Sequence, residues 1–201
     1  MKLSRIVKLF FVFTLSLLVF QGAFAADKKG QYGVRGVGLI SCDIYMKERK
    51  AQGEVYLMAA AWMDGYITGT NQHASDTYDV ASFESTELLA AVLDEHCEKH
   101  PSARVFTVLR ALFEKIHQDR LLERSQKIEV VVGDRKVSLY AEVLKRIQKK
   151  LRSANFYKGK IDGDYGRNTV EAMKKFQASV GFQSTGFPDQ ATLWKLLRSP
   201  N

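Results

Sequence analysis

The chain has 201 residues and a mass of 22.7 kDa, enough for one ordinary domain or two small ones. Hydrophobic residues make up 46%, charged residues 26%, and there are only 3 prolines, which excludes a disordered, low-complexity or Pro-rich chain. Two cysteines are too few for a disulfide-scaffold miniprotein or a four-thiolate zinc site, and the net charge of +8 invites a nucleic-acid reading that the first residues weaken.

Lys2, Arg5 and Lys8 form a positive start, and Leu9 to Phe20 is almost wholly apolar. Ala23-Phe24-Ala25 then places small residues at −3 and −1 of a cleavage site. This order predicts a secretory signal peptide over residues 1–25. The apolar run of about 12 residues is short of the roughly 20 that span a bilayer, so no stable membrane insertion is expected after cleavage. No cysteine lies near the cleavage point to carry a lipid. The expected compartment is the periplasm, where two cysteines can pair and stay paired. Export also argues against nucleic acid as a partner.

The remaining chain divides by charge. Residues 26–140 hold 15 Lys+Arg and 17 Asp+Glu, whereas residues 141–201 hold 12 and 5, a net of +7. That asymmetry suggests two units, 26–120 and 139–198, joined by a linker over 121–138.

The first unit reads as helical. Val55, Met58, Trp62 and Tyr66 fall at helical spacing, and Leu88, Leu89, Val92, Leu93 and Cys97 form a second stripe. Val105, Leu109, Leu112, Phe113 and Ile116 form a third, after Pro101-Ser102. Gly65 and Gly69 lie on one face of the first of these helices, where close approach of a neighbour would offset the roughly 1 kcal/mol that each glycine costs. Cys42 is expected to precede the first helix and Cys97 to end the second. As the only cysteines of an exported chain they are expected to form a disulfide closing a loop of about 55 residues. The alternative, a thiol or metal site at His96-Cys97-x-x-His100, lacks a fourth ligand, and His96 points about 100° away from Cys97 on a helix.

The sequence Gly38-x-x-Ser41-Cys42, Trp62-x-x-Gly65-Tyr66-x-x-Gly69-x-Asn71, Cys97-x-x-His100-Pro101 resembles the HdeA-like and Rap/Tai immunity-like group of small secreted helical domains, over about residues 36–118. The resemblance implies a helical bundle tied by a single disulfide. It further implies either an acid-stress chaperone or an inhibitor of cell-wall hydrolases.

Asp119 to Lys127 is dense in charge, and Ile128 to Val132 is β-branched and followed by Gly133-Asp134. This reads as a short extended linker or a small hairpin.

In the last sixty residues, Val143, Leu144, Ile147 and Leu151 define a helix ending near Ala154. Val170, Met173, Phe176, Gln177 and Val180 define another, stopped by Gly181. Asp189 caps a third that carries Leu193, Trp194 and Leu197. Between the first two lies a glycine-rich loop in which Asp162-Gly163 predicts a tight turn and Ile161 an apolar anchor. Asp162, Asp164, Asn168 and Glu171 fall short of a calcium loop: Gly166, Arg167 and Met173 stand where that pattern needs a ligand oxygen, a glycine and a glutamate.

Leu144, Ile147, Leu151, Tyr157, Gly159, Ile161, Asp162, Gly163, Tyr165, Gly166 and Thr169 resemble the three-helix peptidoglycan-binding domain appended to many cell-wall hydrolases. Phe176, Gln177, Gly186, Asp189, Thr192 and Leu196 extend the pattern across 139–198. Phe182 and Phe187 depart from it. The resemblance implies non-catalytic binding of wall glycopeptide, and a unit of charge +7 attracts the carboxylates of its stem peptides. Tyr157, Asp162, Tyr165, Arg167 and Asn168 are the expected contact surface. The run Lys145, Arg146, Lys149, Lys150 is expected to be a solvated helix face.

Neither half holds H-E-x-x-H, a nucleophile elbow or a P-loop, so no catalytic residues, metal or cofactor are assigned and the expected class is all-α, non-enzymatic. The expected partners are peptidoglycan and, through residues 26–120, a cell-wall hydrolase or another periplasmic protein.

Overall fold

Helices dominate because most segments carry apolar residues at three- and four-residue spacing with few strand formers. The computed structural model describes residues 26–198. The expected signal peptide lies outside the described residues. Residues 26–33 are turn and irregular chain, and Val34 onward forms a unit of its own.

That unit begins with a 3-10 turn, Gly36–Leu39, then α1 (Cys42–Ala51), α2 (Glu54–His73), α3 (Thr86–Lys99) and α4 (Val105–Ile116). Helix α1 is a departure from the expected order: Cys42 opens a helix rather than preceding one. It buries only Cys42 and Tyr45, too thin a stripe to show as periodicity. In α2 the buried residues are Tyr56, Ala59 and Met63, with Trp62 and Tyr66 half-buried, while Met58 is 51% exposed. The expected stripe is thus rotated: α2 is apolar on more than one side, so spacing alone does not select the face. Its neighbours do. Trp62 lies against Gly38, where a Cβ would stand 2.5 Å from the indole ring.

Gly65 and Gly69 are not a packing contact. A Cβ at either position would meet nothing within 4 Å. By contrast, α3 and α4 match expectation. Ser85 caps α3 by accepting from the Leu88 amide, and Leu89, Leu93 and Cys97 are buried. All five predicted residues of α4 are buried. The Cys42–Cys97 disulfide ties the start of α1 to the end of α3 with the Cα atoms 4.9 Å apart.

The all-α expectation needs a correction between the halves. Lys127–Val132 (β1) and Arg135–Tyr140 (β2) pair as an antiparallel hairpin, with Val132 opposite Arg135. Gly133, at φ 64, takes the first central position of the two-residue turn, where a side chain would be strained. The hairpin is not a free linker: Val130 and Leu139 are buried in the second core.

Helices α5 (Ala141–Ser153), α6 (Arg167–Ser179) and α7 (Gln190–Arg198) follow. Asp189 caps α7 by accepting from the Thr192 amide at 2.8 Å. Two apolar clusters result, one within α1–α4 and one within the hairpin and α5–α7. They exchange side chains. Phe83, just before α3, lies in the second cluster, and Trp194 of α7 packs against the first. Gln190 donates to the Phe83 carbonyl at 2.9 Å and accepts from the Ser85 amide at 2.9 Å. Arg198 pairs with buried Glu84 and with Asp119. No described helix is long and apolar enough to cross a membrane.

Candidate functional site

The loop between α5 and α6 is built around one buried amide. Gln148, fully buried on α5, donates to Asp162 Oδ1 at 2.8 Å and to the Asp164 carbonyl at 2.9 Å. Its carbonyl oxygen accepts from the amides of Asp162 and Gly163, both at 3.0 Å. A side-chain amide can both give and take, so one residue serves four loop groups. Gly163 sits at φ 85 with Ala141 O only 2.9 Å from where a Cβ would stand. Asp162 Oδ1 also accepts from the Asp164 amide at 3.0 Å, closing the expected turn. The Gln148 amide, and after it the Asp164 amide, hold the Asp162 carboxyl below its ordinary pKa of 3.8.

A second buried glutamine repeats the device. Gln177 of α6 donates to the Phe187 carbonyl at 2.9 Å and accepts from the Gly186 amide at 2.7 Å. Gly186 has φ 72 and is crowded by Val170. Gly163 is followed six residues later by Thr169, and Gly186 six residues later by Thr192, both buried. Gln148 and Gln177 anchor the two glycine turns to α5 and α6.

The five expected contact residues fall into two groups. Tyr157 is 5% exposed, and its hydroxyl donates to the Lys160 carbonyl, so its ring has no face to offer a sugar. The Tyr165 hydroxyl donates to the Gly186 carbonyl at 2.9 Å, joining the two glycine turns, and burial pushes its pKa up. Arg167 and Asn168 are exposed at the start of α6, where unpaired backbone amides and the helix dipole favour anions. Asp162 is exposed at its edge but committed to the turn. Ile161 is only half-buried, a weaker anchor than expected. Tyr157 and Gln148 carry the loop instead.

Within the cationic run on α5, Arg146 departs from a solvated face, while Lys149 is exposed as expected. Arg146 donates to the backbone carbonyls of Asp119 and Arg120, the latter at 3.0 Å. Phe187 is buried beneath Arg135 of the hairpin, whose guanidinium lies 4.0 Å from the ring centre. Cys97 is bonded to Cys42, so His96 and His100 flank a disulfide and not a thiol.

Gln148 was the residue that sequence reasoning missed. The available signal was a polar residue inside an apolar helical stripe, as Gln177 also is.

Residues 141–196 match the family described as "Putative peptidoglycan binding domain". The chain is 38% identical over 55 residues to a spore cortex-lytic enzyme of Oceanobacillus iheyensis, covering 27% of this chain and 20% of that protein. The chain therefore spans a minor part of the curated relative it matches. No solved structure matches. A peptidoglycan-binding type of domain over 141–196 supports cell-wall binding and a place outside the cytoplasm.

Proposed function

We propose that this is an exported, non-catalytic peptidoglycan-binding protein of the periplasm, in which residues 139–198 hold the helical half, within 26–120, at the cell wall. The observation that carries the reading is the match over 141–196 together with a loop whose stitching by Gln148 and Gln177 leaves Arg167 and Asn168 facing outward. Arg167 pairs with a stem-peptide carboxylate, and Asn168 supplies a hydrogen bond beside it. Tyr157 and Tyr165 support the surface from beneath, and Asp162, exposed at its edge, holds the turn. Attachment raises the local concentration of the helical half at the wall without any further contact.

The test is sedimentation of the mature chain with purified peptidoglycan sacculi. Arg167→Ala should weaken binding about tenfold, the size of one charge-assisted contact, with a larger loss at low salt. Unchanged binding would remove Arg167 from the surface. Release of soluble wall fragments by the purified chain would overturn the non-catalytic reading.

A second reading gives the helical half a protein partner, a cell-wall hydrolase that it inhibits, as its resemblance to immunity-like domains suggests. It is favoured by exposed Ile44, Leu57 and Met58 on α1 and α2. A hydrolase that co-purifies with the mature chain and is lost on Leu57→Asp would support it. The acid-stress chaperone reading predicts instead that the chain suppresses aggregation of other proteins at low pH.

A further inference from the structure

Successive side chains of a strand alternate, so Arg135, Val137 and Leu139 of β2 share one face. Leu139 is buried on that face and Val137 half-buried, so Arg135 ends a row that faces the second core. Its guanidinium lies on the ring of buried Phe187, 4.0 Å from the centre. Among the described residues Arg135 is in no ion pair. Stacking holds one face of the guanidinium and leaves its N–H edges able to donate, so the cation is fixed before a ligand arrives. A cleft of about 240 Å³ opens beside it, lined by Arg135, Phe182, Gln183, Thr185, Asp189 and Thr192. Gln177 braces this cleft as well as the Gly186 turn, donating toward the hydroxyls of Thr185 at 3.4 Å and Thr192 at 3.2 Å. Asp189 is committed to capping, with Thr192 donating to it through its amide at 2.8 Å and its hydroxyl at 2.9 Å. Phe182 is 38% exposed. Asp134 and Lys136, on either side of Arg135, are exposed to solvent. Arg135 lies outside the matched segment 141–196, and Phe182 and Phe187 are the two departures from the domain pattern. The cleft is therefore built from residues that the domain pattern does not supply.

We infer that this cleft binds one acidic sugar residue, with the apolar C–H face of the ring on Phe182, its carboxylate on Arg135 and a polar substituent on Gln183. The planar guanidinium fork matches a carboxylate through two parallel hydrogen bonds. A phenyl ring covers flat apolar surface and leaves the hydroxyl edge of the sugar to water and polar groups. The cleft is smaller than the roughly 300 Å³ at which pockets for drug-sized molecules begin, so it admits a single ring. The inference rests on the peptidoglycan reading for the source of its ligand. There a muramic-acid-type sugar carries its carboxylate on a lactyl arm, and that carboxylate is free only where the stem peptide has been removed. This site therefore reads bare glycan, whereas Arg167 and Asn168 read stem peptides. The hairpin becomes part of the wall-binding surface, because it supplies the cation.

Titration of the mature full chain with N-acetylmuramic acid and with N-acetylglucosamine, followed by amide NMR shifts, tests this, because the two sugars differ only in the lactyl carboxylate arm. Both should move the amides of 182–187, and the acid should bind about tenfold more tightly, the factor of one charge-assisted contact. Arg135→Gln should abolish that preference while binding of the neutral sugar persists. Arg135→Lys, which keeps the charge but not the fork, should retain only part of it. Phe182→Ala, at an exposed position, should weaken both sugars. Lys149→Gln, the same loss of charge on the exposed side of α5, should leave the preference as it was. Equal binding of the two sugars, no binding of either, shifts confined to other segments, or a preference that survives Arg135→Gln would each overturn the assignment. Displacement of the sugar by an equal concentration of trialanine would also overturn it, in favour of a peptide carboxylate. Sacculus sedimentation in parallel separates this inference from the wall reading. Sedimentation without sugar binding removes the cleft and keeps the wall reading; sugar binding without sedimentation does the reverse.

Discussion

Gln148 shows how much of a surface loop can hang on one buried side chain. Replacing it with leucine keeps the volume but leaves the amides of Asp162 and Gly163 and the Asp164 carbonyl without their partner. With water able to reach part of the loop, Gln148→Leu should cost on the order of 3 kcal/mol, read as a lower urea midpoint with loss of the loop's amide protection. An unchanged midpoint would mean that the turn stands without the glutamine. Asp162 makes a second prediction. Its pKa is depressed in the folded state, so its contribution is present above the unfolded value, near 3.8, and is lost as pH falls below that toward the folded value. Melting temperature followed through this acid window should fall less steeply for Asp162→Asn than for the parent chain. Identical slopes would place the acid sensitivity elsewhere.

Among the elements, α4 and α2 mark the two extremes of legibility. Helix α4 has one apolar face, and every predicted residue on it is buried. Helix α2 is apolar on several sides, and its contacts with Gly38, α1, α3 and, through Phe106 and Phe113, α4 decide which residues are covered. Gly65 lies on its open side. With no neighbour to crowd a methyl group, Gly65→Ala should stabilise the protein by about 1 kcal/mol, the propensity difference alone. A loss of stability in thermal melts would reveal a contact on that face. Nothing in the structure explains why glycine stands there. The hairpin was visible as a β-branched run and a Gly-Asp turn, but its packing was not, because Val130 and Leu139 gain their burial from α5 and its neighbours.

The whole molecule is tied by a covalent link in one half and a polar and aromatic seam between halves. The disulfide closes a loop of 55 residues, worth about 4 kcal/mol in the chain-entropy account. If the halves were independent, Cys42→Ser would leave residues 139–198 folded. The crossing of Phe83 and Trp194, with Gln190 and Arg198 bonded across, couples them instead. Cys42→Ser should therefore lower the melting temperature in a single transition, with Trp194 fluorescence and helical signal lost together. Two separated transitions would show the seam to be too weak to transmit the loss.

The sequence by itself determined most of the helices, the pairing of its two cysteines, the Asp162-Gly163 turn and the peptidoglycan-binding character of 141–196. The helices, the disulfide and the turn depend on local spacing, on φ angles that favour glycine, or on there being only two cysteines to join, whereas the peptidoglycan-binding character rests on resemblance to a known domain. Tertiary structure alone decided which face of α2 is buried, that Tyr157 and Tyr165 are bonded inward while Arg167 and Asn168 face out, and that Arg146 and Arg198 belong to a seam. Those outcomes depend on partners distant in the chain: Arg198 and Glu84 are separated by 114 positions, and no pattern in either segment announces the other. Local periodicity states that a residue prefers to be covered or charged, and packing decides what covers it and what pairs with it.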